Sequence, residues 1–282
     1  MIFVSFRFQL LDCLEEGGYG AVYKAYDDIT KDNVAIKVNT ASSTYAVKRE
    51  MQFYACLEGV EGVPKILWHG KHKGKYYIAM ELLGKDLVDV SNKRWPVRDV
   101  MMFAVRAIHI LEKIHEKNVL HQDIKPENFL IGRQDKNRIY LVDFGMSRRY
   151  IKKGKHKTHV GEYGHVGTAV FAPLSSHRDM PLGRKDDLES LGYVLLSLLN
   201  IRLPWESAKI EDNTFDKIYQ LKSSMAIEDM FRGRPAVFTK YMCYCRSLEL
   251  QDKPDYDYLK YLFKEALTSL SFVDDGHFDV TA

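Results

Sequence analysis

An aspartate, a lysine two residues on and an asparagine three beyond it open residues 121–145, which read HQDIKPENFL and, after a short connection, IYLVDFG. Asp123 offers a base or orienter for a hydroxyl. Lys125 offers charge to offset a migrating phosphate, and Asn128 with Asp143 offers two oxygen ligands for Mg²⁺. Types and order together suit phosphoryl transfer, in which protein groups position the reactants and stabilise charge. Such groups need rigid supports. Val119-Leu120, Phe129-Leu130-Ile131 and Ile139-Tyr140-Leu141-Val142 read as short buried strands that would hold them.

Further elements must bring phosphate-binding groups to the same place. Ile2, Val4, Phe6, Phe8 and Leu10 alternate with less apolar neighbours and predict one strand. CLEEGGYGAVYKA and NVAIKV follow, reading as strand, glycine turn and two more strands. Gly17, Gly18 and Gly20 would let the backbone close over phosphates. GGYG alone is a weak signal, better suited to a plain hairpin turn. It gains force from V-A-I-K, ending at Lys37, and from Glu50 in the helical stretch YAVKREMQFYACLEG. Two strands around a turn at 71–75 come next. Val100, Phe103, Ala104, Ala107, Ile108, Leu111 and Ile114 then follow helical spacing and lead into the catalytic stretch, with His109 and His115 expected as helix-face or capping residues.

Composition narrows the class. The chain has 282 residues, 46% hydrophobic and 28% charged, enough for one large domain or two lobes around a cleft. Its 41 basic and 38 acidic residues leave +3, too weak a field for whole-surface nucleic-acid binding. The longest apolar run, 188–199, is well short of the ~20 residues that span a bilayer and predicts a buried helix. Cys13, Cys56, Cys243 and Cys245 lie in or beside apolar segments without zinc-knuckle spacing, so buried, reduced thiols in the cytoplasm or nucleus are expected.

D-x-K-x-x-N, followed 15 residues after the Asn by D-F-G, resembles the catalytic and metal-binding loops of eukaryotic protein kinases, with Lys125 as in the serine/threonine branch. HQDIKPENFL, KDDLESLGYVL with LPW after it, and CRSL followed by DKPDYDYLKYLF resemble the casein kinase 1 family, including its tau-tubulin kinase relatives, over about residues 8–278. The resemblance implies an α+β, bilobal kinase fold. One kinase domain would span 1–282, with a small β-rich lobe at 1–84 and a larger helical lobe at 85–282. It implies ATP and Mg²⁺ as cofactors. ATP would lie against Leu14, Gly17, Gly18, Gly20, Val22, Ala35, Lys37 (paired with Glu50), the gatekeeper Met80, and Glu81 and Leu83 of the hinge. Asp123 and Lys125 would be catalytic, Asn128 and Asp143 would hold the metal, and Asp187 would anchor the catalytic loop from a central helix.

Three positions depart from the family pattern. Glu15 replaces the first loop glycine and would weaken ATP binding if it faced phosphate. Gln122 replaces an arginine, so switching by phosphorylation of the following loop is not expected. Val170 replaces an arginine that helps hold a substrate phosphate. Against this, Arg148, Arg149, Lys152, Lys153, Lys155 and Lys157 form a basic run without an acid, suited to acidic or prephosphorylated protein substrates as much as to mere solvation. The expected function is protein serine/threonine phosphorylation by a cytoplasmic or nuclear monomer that binds neither nucleic acid nor membrane. The alternatives are a nucleotide-binding scaffold of low activity and, more distantly, a nucleic-acid binder through the basic run.

Overall fold

The computed structural model describes residues 2–17, 20–39, 44–90, 94–157, 166–200, 202–206 and 214–281. Its first third is an antiparallel sheet of six strands in the order β1-β2-β3-β4-β6-β5. These are β1 (Ile2–Val4), β2 (Phe8–Gly17), β3 (Gly20–Asp27), β4 (Asp32–Asn39), β5 (Ile66–His72) and β6 (Lys75–Glu81). Between β4 and β5, helix α1 (Thr44–Cys56) crosses one face. The two-residue period of β4 sorts its side chains. Val34, Ile36 and Val38 join Val4, Phe8, Ala25, Tyr77 and Ala79 in a small outer core. Ala35 and Lys37 point the other way, opposite Met80 and Ile78, and that face belongs to the main core.

The N-terminal alternation does not make one strand. Ser5 and Phe6 have positive φ and form a turn that folds β1 back onto β2. Phe6 is 93% exposed at its tip, so the apolar period breaks where the hairpin closes. Arg7, leaving that turn, donates from Nε and Nη2 to the two carboxylate oxygens of Asp27 at 2.8 and 2.7 Å. The Ile29 amide and the Thr30 hydroxyl also donate to it. The Arg7 hydrogen bonds outweigh burial and draw the Asp27 pKa from 3.8 down to about 2. A depressed carboxylate stabilises the fold above its unfolded pKa and loses that contribution as pH falls through the folded one. Asp27→Asn is therefore expected to cost about 2 kcal/mol at neutral pH, measured by urea denaturation. The penalty should vanish as the pH falls from about 4 toward about 2. A pH-independent penalty would contradict the ion pair.

Beyond β6 the chain is mainly helical. Short α2 (Leu87–Val90) precedes α3 (Val97–Glu116), in which every apolar position named from the helical spacing is fully buried. Two small antiparallel pairs follow, built from β7 (Val119–Leu120), β8 (Phe129–Ile131), β9 (Ile139–Leu141) and β10 (Arg148–Arg149). Strand β8 pairs with β9 and β7 with β10. A hairpin of β11 (Ile151–Lys152) and β12 (Lys155–His156) comes next. The remaining helices are α4 (Leu174–His177), α5 (Arg184–Asn200), α6 (Thr214–Ser224), α7 (Ile227–Met230), α8 (Ala236–Ser247) and α9 (Tyr256–Ser269). Helix α5 contains the longest apolar run and is buried around nearly its whole circumference, with Leu188, Leu191, Tyr193, Val194, Leu195, Leu196 and Leu199 all inaccessible. None of the helices, among the described residues, is long and apolar enough to cross a membrane.

The cysteines depart from expectation. All four are free, but Cys13 and Cys243 are exposed, Cys56 is half-buried and only Cys245 is buried. Two residues in a helix turn through about 200°, so Cys243 and Cys245 of α8 must face opposite ways.

Candidate active site

Lysine 37 sits in the face of β4 turned toward the main core, and two carboxylates converge on it. Its Nζ lies 2.8 Å from Glu50 Oε1 of α1 and 2.8 Å from Asp143 Oδ1. Burial works against the ammonium, but Glu50 and Asp143 outweigh it and hold the lysine pKa above its ordinary value. Asp143 is lowered, because Lys37 overcomes the cost of burial. Glu50 is raised, burial there outweighing Lys37. The same face of the sheet carries Val22, Ala35 and Met80, joined by their register to Lys37 and Ile78.

The Asp123 carboxylate is held from both sides. Its Oδ1 accepts the Thr168 amide and hydroxyl, each at 3.0 Å, and its Oδ2 lies 3.1 Å from Lys125 Nζ and 3.2 Å from Asn128 Nδ2. Asn128 also donates to the Asp123 carbonyl at 2.7 Å, so its amide nitrogen is committed. Its side-chain oxygen has no hydrogen-bond partner among the described residues. Asp143 has a left-handed φ of 63° and its Oδ1 accepts the Gly145 amide. Its side chain is 44% exposed, and Oδ2 is uncommitted among the described residues. Two unused oxygens on Asn128 and Asp143 suit a hard divalent cation such as Mg²⁺.

Below this layer the site rests on one buried carboxylate. Asp187, in the first turn of α5, accepts the backbone amides of His121 and Gln122 at 2.8 and 2.9 Å and the His115 Nε2–H at 2.9 Å. Burial opposes its charge, but the His115 hydrogen bond and these donors keep its pKa below the usual value. His115 is thus neither a cap nor a surface residue. Its Nδ1 accepts from Tyr256 of α9 at 2.7 Å, so one imidazole ties α3, α5 and α9 together. His121 donates from Nε2 to the Val142 carbonyl and packs edge-on against Phe144. Arg246 and Asp255 play structural parts: Arg246 pairs with Glu189 at 3.3 Å, and Asp255 caps α9.

The remaining candidates are more dispersed. Gly20 at φ 144° must be glycine, since a Cβ there would stand 2.0 Å from the Val38 carbonyl oxygen. Gly18 lies outside the described residues, and Gly17 ends β2 opposite Gly20. Leu14 is 53% exposed where the β2–β3 register is irregular. Glu15 is exposed and opposite Val22. Met80 is buried and Glu81 half-buried, its carboxylate accepting the Lys65 amide. Leu83 is half-buried, with neither backbone N–H nor C=O in a backbone hydrogen bond among the described residues. Gln122 has a left-handed φ of 69° and a buried side chain whose Oε1 has no partner among the described residues. Val170 is buried in the main core. The basic run lies on β10, paired with β7, and along the β11–β12 hairpin. Burial and the nearby Arg148, Lys152 and Arg149 lower the Lys157 pKa, so these cations share one field.

Three residues of the site were not anticipated. Tyr54, one turn after Glu50, accepts the Asp143 amide at 3.2 Å and packs edge-on against Phe144. Arg49 reaches the Gly145 carbonyl. Thr168 contacts Asp123 because Gly167, at φ 86°, passes so close to the Gln122 carbonyl that a Cβ would come within 2.7 Å of it. The i, i+4 spacing from Glu50 is the signal that could have found Tyr54, whereas no local pattern singles out Thr168.

A family model described as a protein kinase domain matches residues 8–252. With that match over most of its length and an α+β fold to go with it, this chain belongs to the protein kinase domain family, enzymes that use ATP to phosphorylate proteins.

Proposed function

We propose that the chain is a serine/threonine kinase of the casein kinase 1 kind, close to the tau-tubulin kinases, acting on acidic or prephosphorylated protein segments. The observation that carries this reading is Asp123 with Thr168 on one carboxylate oxygen and Lys125 on the other. Asp123 orients the acceptor hydroxyl and takes its proton, while Lys125 offsets negative charge gathering on the transferred group. Burial acts against the Lys125 ammonium, but Asp123 keeps its pKa above the ordinary lysine value, so it stays charged throughout the physiological range. Lys37, steered by Glu50, holds nucleotide phosphates, the Leu83 backbone meets adenine, and Val22, Ala35 and Met80 enclose the base. Asn128 and Asp143 would hold Mg²⁺, which when bound would supply positive charge against the phosphates.

The decisive experiment is transfer of the ATP γ-phosphate, with Mg²⁺, to an acidic protein and to serine, threonine and tyrosine peptides with and without an upstream phosphate. Serine or threonine transfer that disappears in Asp123→Asn establishes the activity. ATP that raises the melting temperature without any transfer would instead favour the scaffold reading, which Glu15, Gln122 and Val170 together motivate. Substrate choice has its own test. Reversing Lys152, Lys153 and Lys155 to glutamate is expected to raise KM for acidic peptides about tenfold or more and to spare basic ones, the difference shrinking with added salt. Equal losses on both peptides would reduce the basic run to solvated surface.

A further inference from the structure

Lysine 222, on α6, is completely inaccessible to solvent. Burying an amine is costly unless its N–H groups find partners, and a methionine would fill similar space without that cost. Its partners are all from one place. Nζ donates to the Ala172 carbonyl at 2.6 Å and the Ala169 carbonyl at 3.1 Å, and lies 3.3 Å from His177 Nε2. The Tyr193 and Trp205 rings cover it, with centroids at 4.3 and 5.3 Å. Trp205 Nε1 takes the intervening Val170 carbonyl at 2.8 Å. Burial pushes the lysine pKa well down, yet charged or neutral it keeps the two N–H donors that these carbonyls need.

The carbonyls belong to the turn that presents Thr168. The Phe171 and Ala172 amides both donate to the Thr168 carbonyl at 2.8 Å, and the Thr168 amide and hydroxyl both reach Asp123. One end of the turn is therefore tied to the catalytic carboxylate and the other to Lys222 and Trp205. With Gln122 inward and uncharged, this turn is held from inside the helical region.

We propose that Lys222, assisted by Trp205, is a positioning residue for phosphoryl acceptance: it fixes the main chain at 169–172 so that Thr168 orients Asp123 toward the acceptor hydroxyl. This rests on the kinase reading above. It makes the acceptor side of the site depend on α6, whereas the nucleotide side, built from β4, α1 and Asp143, does not. Misplacing a catalytic group by about 1 Å costs about 10²-fold in rate, which sets the expected size for Lys222→Met. Trp205→Phe removes one N–H donor and keeps an aromatic ring, so about a tenfold loss is expected.

The test compares both variants with the unaltered chain by peptide-transfer kinetics, the ATP–Mg²⁺ shift in melting temperature, and amide hydrogen exchange at Thr168, Phe171 and Ala172. The expected result is a lower kcat for peptide, unchanged apparent ATP affinity, and faster exchange confined to those amides. A folded Lys222→Met with unchanged kcat and exchange overturns the proposal. So does an equal loss of ATP binding and transfer, the mark of a general structural role. If Lys222→Met fails to fold, Trp205→Phe decides: a selective kcat loss with faster exchange supports the proposal, and unaltered kinetics overturn it. Should the unaltered chain transfer no phosphate, the kinase reading fails, and exchange at the three amides still decides whether Lys222 and Trp205 hold the turn.

Discussion

Asp123→Asn is expected to cut phosphoryl transfer by about 10²–10⁴-fold, the usual contribution of a positioned general base, with little change in melting temperature. Asparagine has the shape of aspartate, and its side-chain oxygen can still accept the Thr168 amide and hydroxyl, so the turn at 168–172 keeps its anchor. The other oxygen becomes an NH₂. It would then face Lys125 Nζ and Asn128 Nδ2, which now lie 3.1 and 3.2 Å away, and donor would oppose donor. Lys125 loses the partner that orients it and the acceptor hydroxyl loses its proton acceptor. Nothing in the Lys37–Glu50–Asp143 triangle is touched. Radiolabelled γ-phosphate transfer measured beside the ATP-induced shift in melting temperature therefore separates the two halves of the site. Transfer within threefold of the unaltered enzyme, an effect below about 1 kcal/mol, would remove Asp123 from the chemistry.

Lys37→Met is expected to damage both catalysis and stability. The side chain joins Glu50 to Asp143 through two contacts of 2.8 Å, and its loss strands a carboxylate that is already buried on α1. Removing one member of a buried ion pair costs about 3–5 kcal/mol. The sign of the pH dependence follows from Glu50. Burial raises its folded pKa even beside Lys37, and without that cation the pKa must rise further. A carboxyl raised above its unfolded value stabilises the fold while protonated, and loses that contribution as pH rises through the folded value. The variant should thus regain stability at about pH 5 relative to about pH 8, by more than the unaltered chain does, in urea denaturation. Transfer should fall by at least about 10²-fold because phosphates lose their clamp, and the ATP-induced rise in melting temperature should shrink. A variant of normal stability at every pH would mean that Glu50 finds another partner.

The order of the elements and most of the polar groups at the site were legible in the sequence because they depend on short-range spacing. The D-x-K-x-x-N loop needs only six residues to bring Asp123, Lys125 and Asn128 onto one oxygen network. The apolar period of α3 names its buried face, and the unbroken run in α5 announces burial all round. Lys37 and Glu50 were paired by recognising a longer pattern, of which the structure supplies the 2.8 Å contact. Other features depend on where the chain returns. The positive φ at Ser5 and Phe6 splits an apparently continuous alternation, because the hairpin closes there and leaves Phe6 in solvent. His115, a helix residue by its spacing, is a bridge only because α5 and α9 bring Asp187 and Tyr256 to its two nitrogens. Val170 stands where the resemblance implies a phosphate-binding arginine, yet it packs into the core. Lys222 looks like one more charge on a polar helix until the turn at 169–172 is seen to offer it two carbonyls. Local spacing determines which groups can work together along the chain; the partners of a buried polar group come from elements distant in sequence, and only packing selects them.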